Sequence, residues 1–298
     1  MYHDAHAHLQ IGENSDEKIK QYENMCKNQL SGQIICNATS EQDFEEIELL
    51  SKKFEGQVIP SYGIHPWFID NCTEGWLERL KLRLQNDKSA LIGEIGLDKK
   101  RKYGNRQKEI FESQLKLVLE LRRPASIHCV KCHGTMFDIL KKILYINDAT
   151  STKKLKHVLV DNLPPLLLHG WSGSFDMSKM YVRNFPNIYY SFSLPLRKKS
   201  LEGIPISRVL AETDDQDPVK IQMVYKELAI FYKKSNAEMI NIVNKNFKDC
   251  FQSTSNINRK IATTTKCIAN CTDASRKKHF LSTIAILIAL NVIFSHHK

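Results

Sequence analysis

The sequence predicts an α/β fold: a closed (β/α)8 TIM barrel followed by a C-terminal tail outside the barrel. Two observations carry this. Eight short apolar runs succeed one another along the chain, most of them separated by amphipathic helical stretches, the pattern of a parallel sheet with crossover helices. Histidine, aspartate and glutamate residues then recur at the ends of those runs, where a barrel of this type gathers its functional groups.

In chain order the predicted strands are 2–9, 33–38, 58–64, 90–96, 125–130, 166–171, 188–193 and 208–213. Helical stretches are predicted at 43–53, 74–85, 106–121, 135–144 and 218–233. The third of these carries Ile110, Leu115, Val118 and Leu121 at helical spacing. Eight alternations favour a closed barrel over an open sheet, and residues 1–250 form one domain. A chain of 298 residues with 42% hydrophobic residues can bury a core of that size.

The net charge is +10, but residues 249–298 hold seven basic residues against two acids and so carry half of it. The remaining +5 over the main body does not by itself identify a nucleic-acid binder. Strand-like sequence beginning at Tyr2 leaves no room for a signal peptide. The eight cysteines are therefore expected reduced, in a cytoplasmic or nuclear setting. Cys129-x-x-Cys132 lacks a second pair at zinc-ribbon spacing, and Cys129 is expected to point away from His128 as a packed small hydrophobe.

Beyond the barrel, 251–279 reads as a polar, basic linker and 280–298 as a short apolar segment. Residues 280–294 are apolar apart from Ser282, Thr283 and Asn291. As a helix they would span about 22 Å, short of a bilayer core of about 30 Å. A disordered appendage or a packed terminal helix is favoured over a membrane tether, and the tail is also a candidate contact for a protein partner.

Five pieces carry the chemistry: Asp4-Ala5-His6-Ala7-His8, Gly93-Glu94-Ile95-Gly96-Leu97-Asp98, Ile127-His128-Cys129, Leu168-His169-Gly170-Trp171 and Ala211-Glu212-Thr213-Asp214. Alternation along a strand puts Asp4, His6 and His8 on one face, likewise Glu212 with Asp214 and His169 with Trp171. Neutral imidazole and carboxylate suit borderline divalent metals. Any single piece is better read as a buried histidine or carboxylate with hydrogen-bond partners. Five in succession at strand ends point to a metal site.

Basic residues crowd the loops that follow: Lys99-Lys100-Arg101-Lys102 with Arg106 and Lys108, then Lys131, then Arg197-Lys198-Lys199. One such run is ordinarily a solvated surface. Three on the same rim favour an anionic substrate.

At these residues the chain resembles the TatD family of metal-dependent hydrolases, over roughly 2–247. Gly63-Ile64-His65-Pro66-Trp67, Phe111, Gln114, Ser172-Gly173-Ser174 and Asn246-Phe247 match as well. The resemblance implies a TIM barrel holding two divalent metals (Mg, Mn or Zn), with DNA hydrolysis as the leading activity and D-aminoacyl-tRNA deacylation as the alternative. It implies His6, His8, Glu94 and Asp214 as ligands of one metal, with Glu94 bridging to a second held by His128 and His169. His65 is implied near the substrate phosphate. Cys129-Val130-Lys131, Lys99-Lys100 and Asp215-Gln216-Asp217-Pro218 depart from the bacterial pattern and resemble a fungal branch. Some members of that branch are described as partners of a cell-cycle ubiquitin ligase subunit, so an interaction scaffold is the competing reading; loss of ligands would mark it, and none is lost.

The expected roles follow. Asp214 serves as general base, Glu94 bridges, and Glu212 orients a ligand or water. His65, Trp67, Lys131 and Trp171 are the expected substrate contacts, the tryptophans by stacking on bases, with a place in the core as the alternative for either. No small-molecule organic cofactor is expected.

Overall fold

Parallel strands buried on both faces need apolar residues on each side, and β4 (Leu91–Asp98) is buried at all eight positions. The computed structural model, which describes residues 1–101, 104–144 and 163–252, contains all eight predicted strands. They are β1 (Tyr2–Ala7), β2 (Ser31–Asn37), β3 (Val58–Tyr62), β4, β5 (Ala125–Val130), β6 (Leu166–Leu168), β7 (Ile188–Phe192) and β8 (Val209–Ala211). Each pairs in parallel with the next in sequence, in the order β1 to β8.

The ring closes between β8 and β1 through residues just past the strand ends. Asp214 donates its backbone N–H to His6 O at 2.9 Å, and its carbonyl accepts from His8 N–H at 3.0 Å. Below that bridge the buried Asp4 carboxylate accepts from the backbone and hydroxyl of Thr213 and from His6 N–H. Burial raises the Asp4 carboxyl to about 7 against the pull of these donors. Two of the five chemistry-bearing pieces are therefore the barrel's seam.

Among the described residues one α-helix follows each strand: α1 (Ser15–Lys27), α2 (Phe44–Lys53), α3 (Trp76–Asn86), α4 (Asn105–Leu121), α5 (His133–Leu144), α6 (Phe175–Asn184), α7 (Lys198–Leu201) and α8 (Ile221–Tyr232). A ninth, α9 (Asn236–Phe251), starts from a Ser235/Glu238 capping box. The sequence pattern did not single out α1, α6, α7 or α9. In α1 the buried face is Lys18, Tyr22 and Met25, so an apolar stripe is missing. The Lys18 ammonium reaches the carbonyls of His8 and Ile11 and the Asp215 carboxylate. In α9, Asn246 donates to Ile206 O and Val209 O, and Phe247 stacks on His3 at 4.3 Å, which docks the helix on β8 and β1.

The Cys129 and Cys132 sulfurs are free, buried and 3.8 Å apart, with Cys132 immediately before α5. Among the described residues no helix is long and apolar enough to cross a membrane. The tail from 253 onward, with most of the expected linker and all of the apolar segment, lies outside the described residues.

One glycine sets the spacing that matters most for the interior. β4 pairs with β5 so that Gly96 lies opposite His128, and Gly96 has φ +149°, where a side chain is strained. A Cβ there would stand 2.0 Å from the His128 carbonyl oxygen. Gly96→Ala should therefore cost about 3 kcal/mol or more by urea unfolding, from strain and overpacking together. Wild-type stability in that variant would show that β4 and β5 do not approach this closely.

Candidate metal centre

Strand alternation aims Asp4, His6 and His8 inward from β1, Glu94, Gly96 and Asp98 inward from β4, and His128 inward from β5. Their side chains meet around one carboxylate. Glu94 is 2% exposed. Its Oε2 lies 3.1 Å from His8 Nε2 and 3.4 Å from His6 Nε2, with Asp214 Oδ1 3.7–3.8 Å from those nitrogens. Its Oε1 lies 2.8 Å from His128 Nδ1, 2.8 Å from His169 Nε2 and 3.3 Å from His65 Nε2. Burial alone would raise this carboxyl, but the surrounding imidazoles of His65, His169, His6 and His128 hold it well below the usual range.

Hydrogen bonds on the far side of the rings decide which nitrogens are available. His8 Nδ1 faces the Asn37 carbonyl at 2.8 Å, which can only accept. The proton is therefore on Nδ1, leaving the Nε2 lone pair aimed at the Glu94 carboxylate. Lone pair against carboxylate at 3.1 Å is repulsive unless a cation or a proton lies between them. His6 Nδ1 is held at 2.7 Å by Ser126 Oγ. His128 is gripped from both sides, since Asp98 Oδ2 lies 3.1 Å from its Nε2. A metal-facing nitrogen backed by a carboxylate or carbonyl is the usual dress of a metal-bound histidine. The donors fit divalent cations.

His65 differs. Its Nδ1 accepts the Trp67 backbone N–H at 3.2 Å, so its proton is on Nε2 and it donates to Glu94. Although its ring nitrogen falls in one of the three ligand-spaced groups (His6, His8, Glu94; His65, Glu94, His128; His6, His169, Asp214), that tautomer orients the carboxylate rather than offering a lone pair. It is also only 4% exposed, set back from the surface.

Two expected site residues lie deep. Glu212 is completely buried behind His169, its Oε1 accepting Gly170 N–H at 2.8 Å and its Oε2 accepting from Ser191 Oγ. It supports the turn that carries His169, with Oε2 3.9 Å from His169 Nδ1; from there it can orient that imidazole, and it lies behind the cluster rather than in the cleft. Trp171 is 2% exposed, packed among His133, Tyr181 and Tyr190, with its indole N–H on Ser178 Oγ. β6 ends at Leu168 and Gly170 turns at φ +52°, which breaks the alternation with His169. No face of Trp171 is left for stacking.

Trp67, by contrast, is 46% exposed. A cleft of about 780 Å3 opens beside His128, His169 and Asp214, bordered by Lys100, Lys131 and Arg197. One member of each predicted basic loop is on it. A larger groove of about 1350 Å3 along α2 and α3 contains none of the ligand-type residues gathered on Glu94.

A model of the TatD-related DNase family matches residues 3–252. The chain belongs to that family. It is 26% identical to the Cut9-interacting protein scn1 of Schizosaccharomyces pombe, over 66% of this chain and 83% of that one. It is 25% identical to the 3'-5' ssDNA/RNA exonuclease TatD of Cronobacter sakazakii, over 61% and 65%. The fold matches the TatD homologue YJJV of Escherichia coli with a TM-score of 0.68 at 20% identity, over 84% of this chain and 98% of that one.

Asp98 had no assigned role in the sequence reading, though its parity with Glu94 on β4 placed it on the same inward face. Ser126 and the Asn37 carbonyl carried no such signal.

The site's electrostatics lead to a test. Burial disfavours a charged His8, but Glu94 and Asp214 outweigh it and raise His8 to about 9. His128 is likewise raised to about 9, against burial, by Asp98 and Glu94. Both imidazoles therefore hold a second proton near neutrality in the metal-free site. Cation binding must expel it. Calorimetric titration of metal-free protein with Zn2+ between pH 6.5 and 8.5, in buffers of different ionisation enthalpy, should show about one proton released per raised imidazole and affinity rising with pH. A buffer-independent enthalpy would refute cation binding at these nitrogens.

Proposed function

We propose that this chain is a metal-dependent nuclease: a hydrolase that cleaves phosphodiester bonds of DNA with two divalent cations, Mg, Mn or Zn, bridged by Glu94. The observation that supports it is the division of labour on that carboxylate. His6, His8 and Asp214 gather at one oxygen, His128 and His169 at the other, under a cleft with a basic border. Held by these residues, such cations would lower the pKa of a bound water and neutralise charge on the phosphoryl group.

The chain's own residues supply the rest. Asp214 has the most open of these side chains, 39% exposed, and faces the cleft, where its carboxylate can take up the water's proton. Lys100, Lys131 and Arg197 meet phosphates along the cleft, and Trp67 offers a ring edge or face to a base. His65 steadies Glu94 from behind. The nuclease name of the Cronobacter relative supports nucleic acid as the substrate class. The basic border disfavours a deacylase, and the complete ligand set disfavours a scaffold that merely binds protein, despite the name of the fission-yeast relative. Cytoplasm and nucleus are the compartments proposed.

Purified full-length protein, stripped and reloaded with Mg2+, Mn2+ or Zn2+, should cleave end-labelled single- or double-stranded DNA. His128→Ala should lose about 100-fold or more. Binding of catalytically inactive protein to DNA should weaken with salt, and replacing Lys100, Lys131 and Arg197 by Ser should lower the log–log slope by about 0.7–0.9 per lost contact. Cleavage of RNA alone would change the substrate. Absence of metal-dependent cleavage of any nucleic acid would overturn the proposal.

A further inference from the structure

The Asp98 carboxylate is the point where the imidazole cluster and the rim of the cleft share a side chain. Because Gly96 lies opposite His128, the inward residues two before and two after it straddle that ring. Glu94 Oε1 lies 2.8 Å from Nδ1 and Asp98 Oδ2 lies 3.1 Å from Nε2. Rotating the ring by half a turn would put Cδ2 where Nδ1 stands and Cε1 where Nε2 stands, and a buried acceptor at Nε2 favours the orientation that turns Nδ1 to Glu94.

Asp98 is itself fully engaged, at 1% exposure. Its Oδ2 also accepts the Trp67 indole N–H at 2.7 Å, and its Oδ1 accepts the Lys100 backbone N–H at 2.7 Å. Gln107 fixes its backbone on both sides, accepting its N–H at 3.0 Å and donating to its carbonyl at 3.1 Å. The two rim residues it holds are those facing the outside: Lys100 borders the cleft, and the half-exposed Trp67 carries the Arg101 guanidinium over its ring at 4.6 Å.

We propose that Asp98 is a positioning residue that fixes His128 with its proton on Nε2 and Nδ1 turned toward Glu94, and that Trp67, through its indole N–H, ties this orientation to the substrate-facing rim. This rests on the metal-site half of the nuclease reading but not on cleavage. A tryptophan that only stacks on bases would need its ring and not its N–H. A tryptophan that holds Asp98 needs the N–H.

Trp67→Phe separates the two, since it keeps an aromatic face, though a smaller one, at a half-exposed position and removes the donor to Asp98. Full-length wild type, Trp67→Phe, Asp98→Asn and Arg101→Ser would be titrated with Zn2+ against a chromophoric chelator. Long-range 1H–15N spectra of the Zn2+-loaded wild type would report which His128 nitrogen carries the proton. The expected result is a proton on Nε2 of His128, Zn2+ affinity weakened about tenfold or more in Asp98→Asn and measurably in Trp67→Phe, and wild-type affinity in Arg101→Ser. On DNA, Trp67→Phe should then lower kcat at subsaturating metal, with excess Zn2+ restoring it. His128 coordinated through Nε2, or wild-type Zn2+ affinity in Trp67→Phe with only KM raised, would overturn the proposal; should Asp98→Asn fail to fold, the tryptophan variant decides. Wild type that binds Zn2+ as described yet cleaves no nucleic acid would instead sink the nuclease reading and leave this assignment standing.

Discussion

Everything in the barrel's mouth is arranged around one buried carboxylate. Glu94 faces five imidazoles within 3.4 Å, and so many nitrogens cannot all carry protons in so small and dry a space. Burial drives His6 down to about 3, helped by the charge of His169, which lies 2.8 Å from Glu94 and stacks on the His6 ring at 3.8 Å. His8 and His128 are raised instead. Metal-free, the cluster is a compromise among protons. In the proposed reading, divalent cations held by these residues would resolve it without leaving lone pairs opposed.

The same residues close the barrel, so fold and site are not separable here. The Asp214 backbone bonds His6 and His8 across the seam, and Asp214 itself adopts φ +58°, a left-handed conformation that aspartate tolerates better than most side chains. Below it Asp4 clasps Thr213. Outside it Lys18 ties α1 to Asp215 and to the His8 carbonyl. Strain and buried charge at these positions are held in place by the surrounding hydrogen bonds, as is common where geometry serves a ligand. The three-residue reach of β8 is enough because Glu212, Thr213 and Asp214 continue its work in irregular backbone.

What could be read from the sequence was what periodicity encodes. Eight strands were visible as short, largely apolar runs at regular intervals, and the ligand-type residues because they share parity within a strand. Of the helices that escaped, α7 is four residues long and α1 places Lys18 on its buried face; α9 buries Met239, Val243 and Phe247 at helical spacing and was legible but not singled out. Trp171 was misplaced because alternation was carried past Leu168, where Gly170 turns the chain. The depth of Glu212 behind His169 was not legible, because parity with Asp214 says which way a side chain points and not how deep it lies. The tautomers of His8 and His65 depend on the Asn37 carbonyl and the Trp67 amide, partners that no side-chain pattern records.

The central claim is that both oxygens of Glu94 serve cations, and crystals of the full chain grown with Mn2+ test it most directly. Anomalous difference maps should contain two peaks in the barrel's mouth, one against Oε2 among His6, His8 and Asp214, the other against Oε1 between His128 and His169. A single peak, or peaks that do not share Glu94, would contradict it.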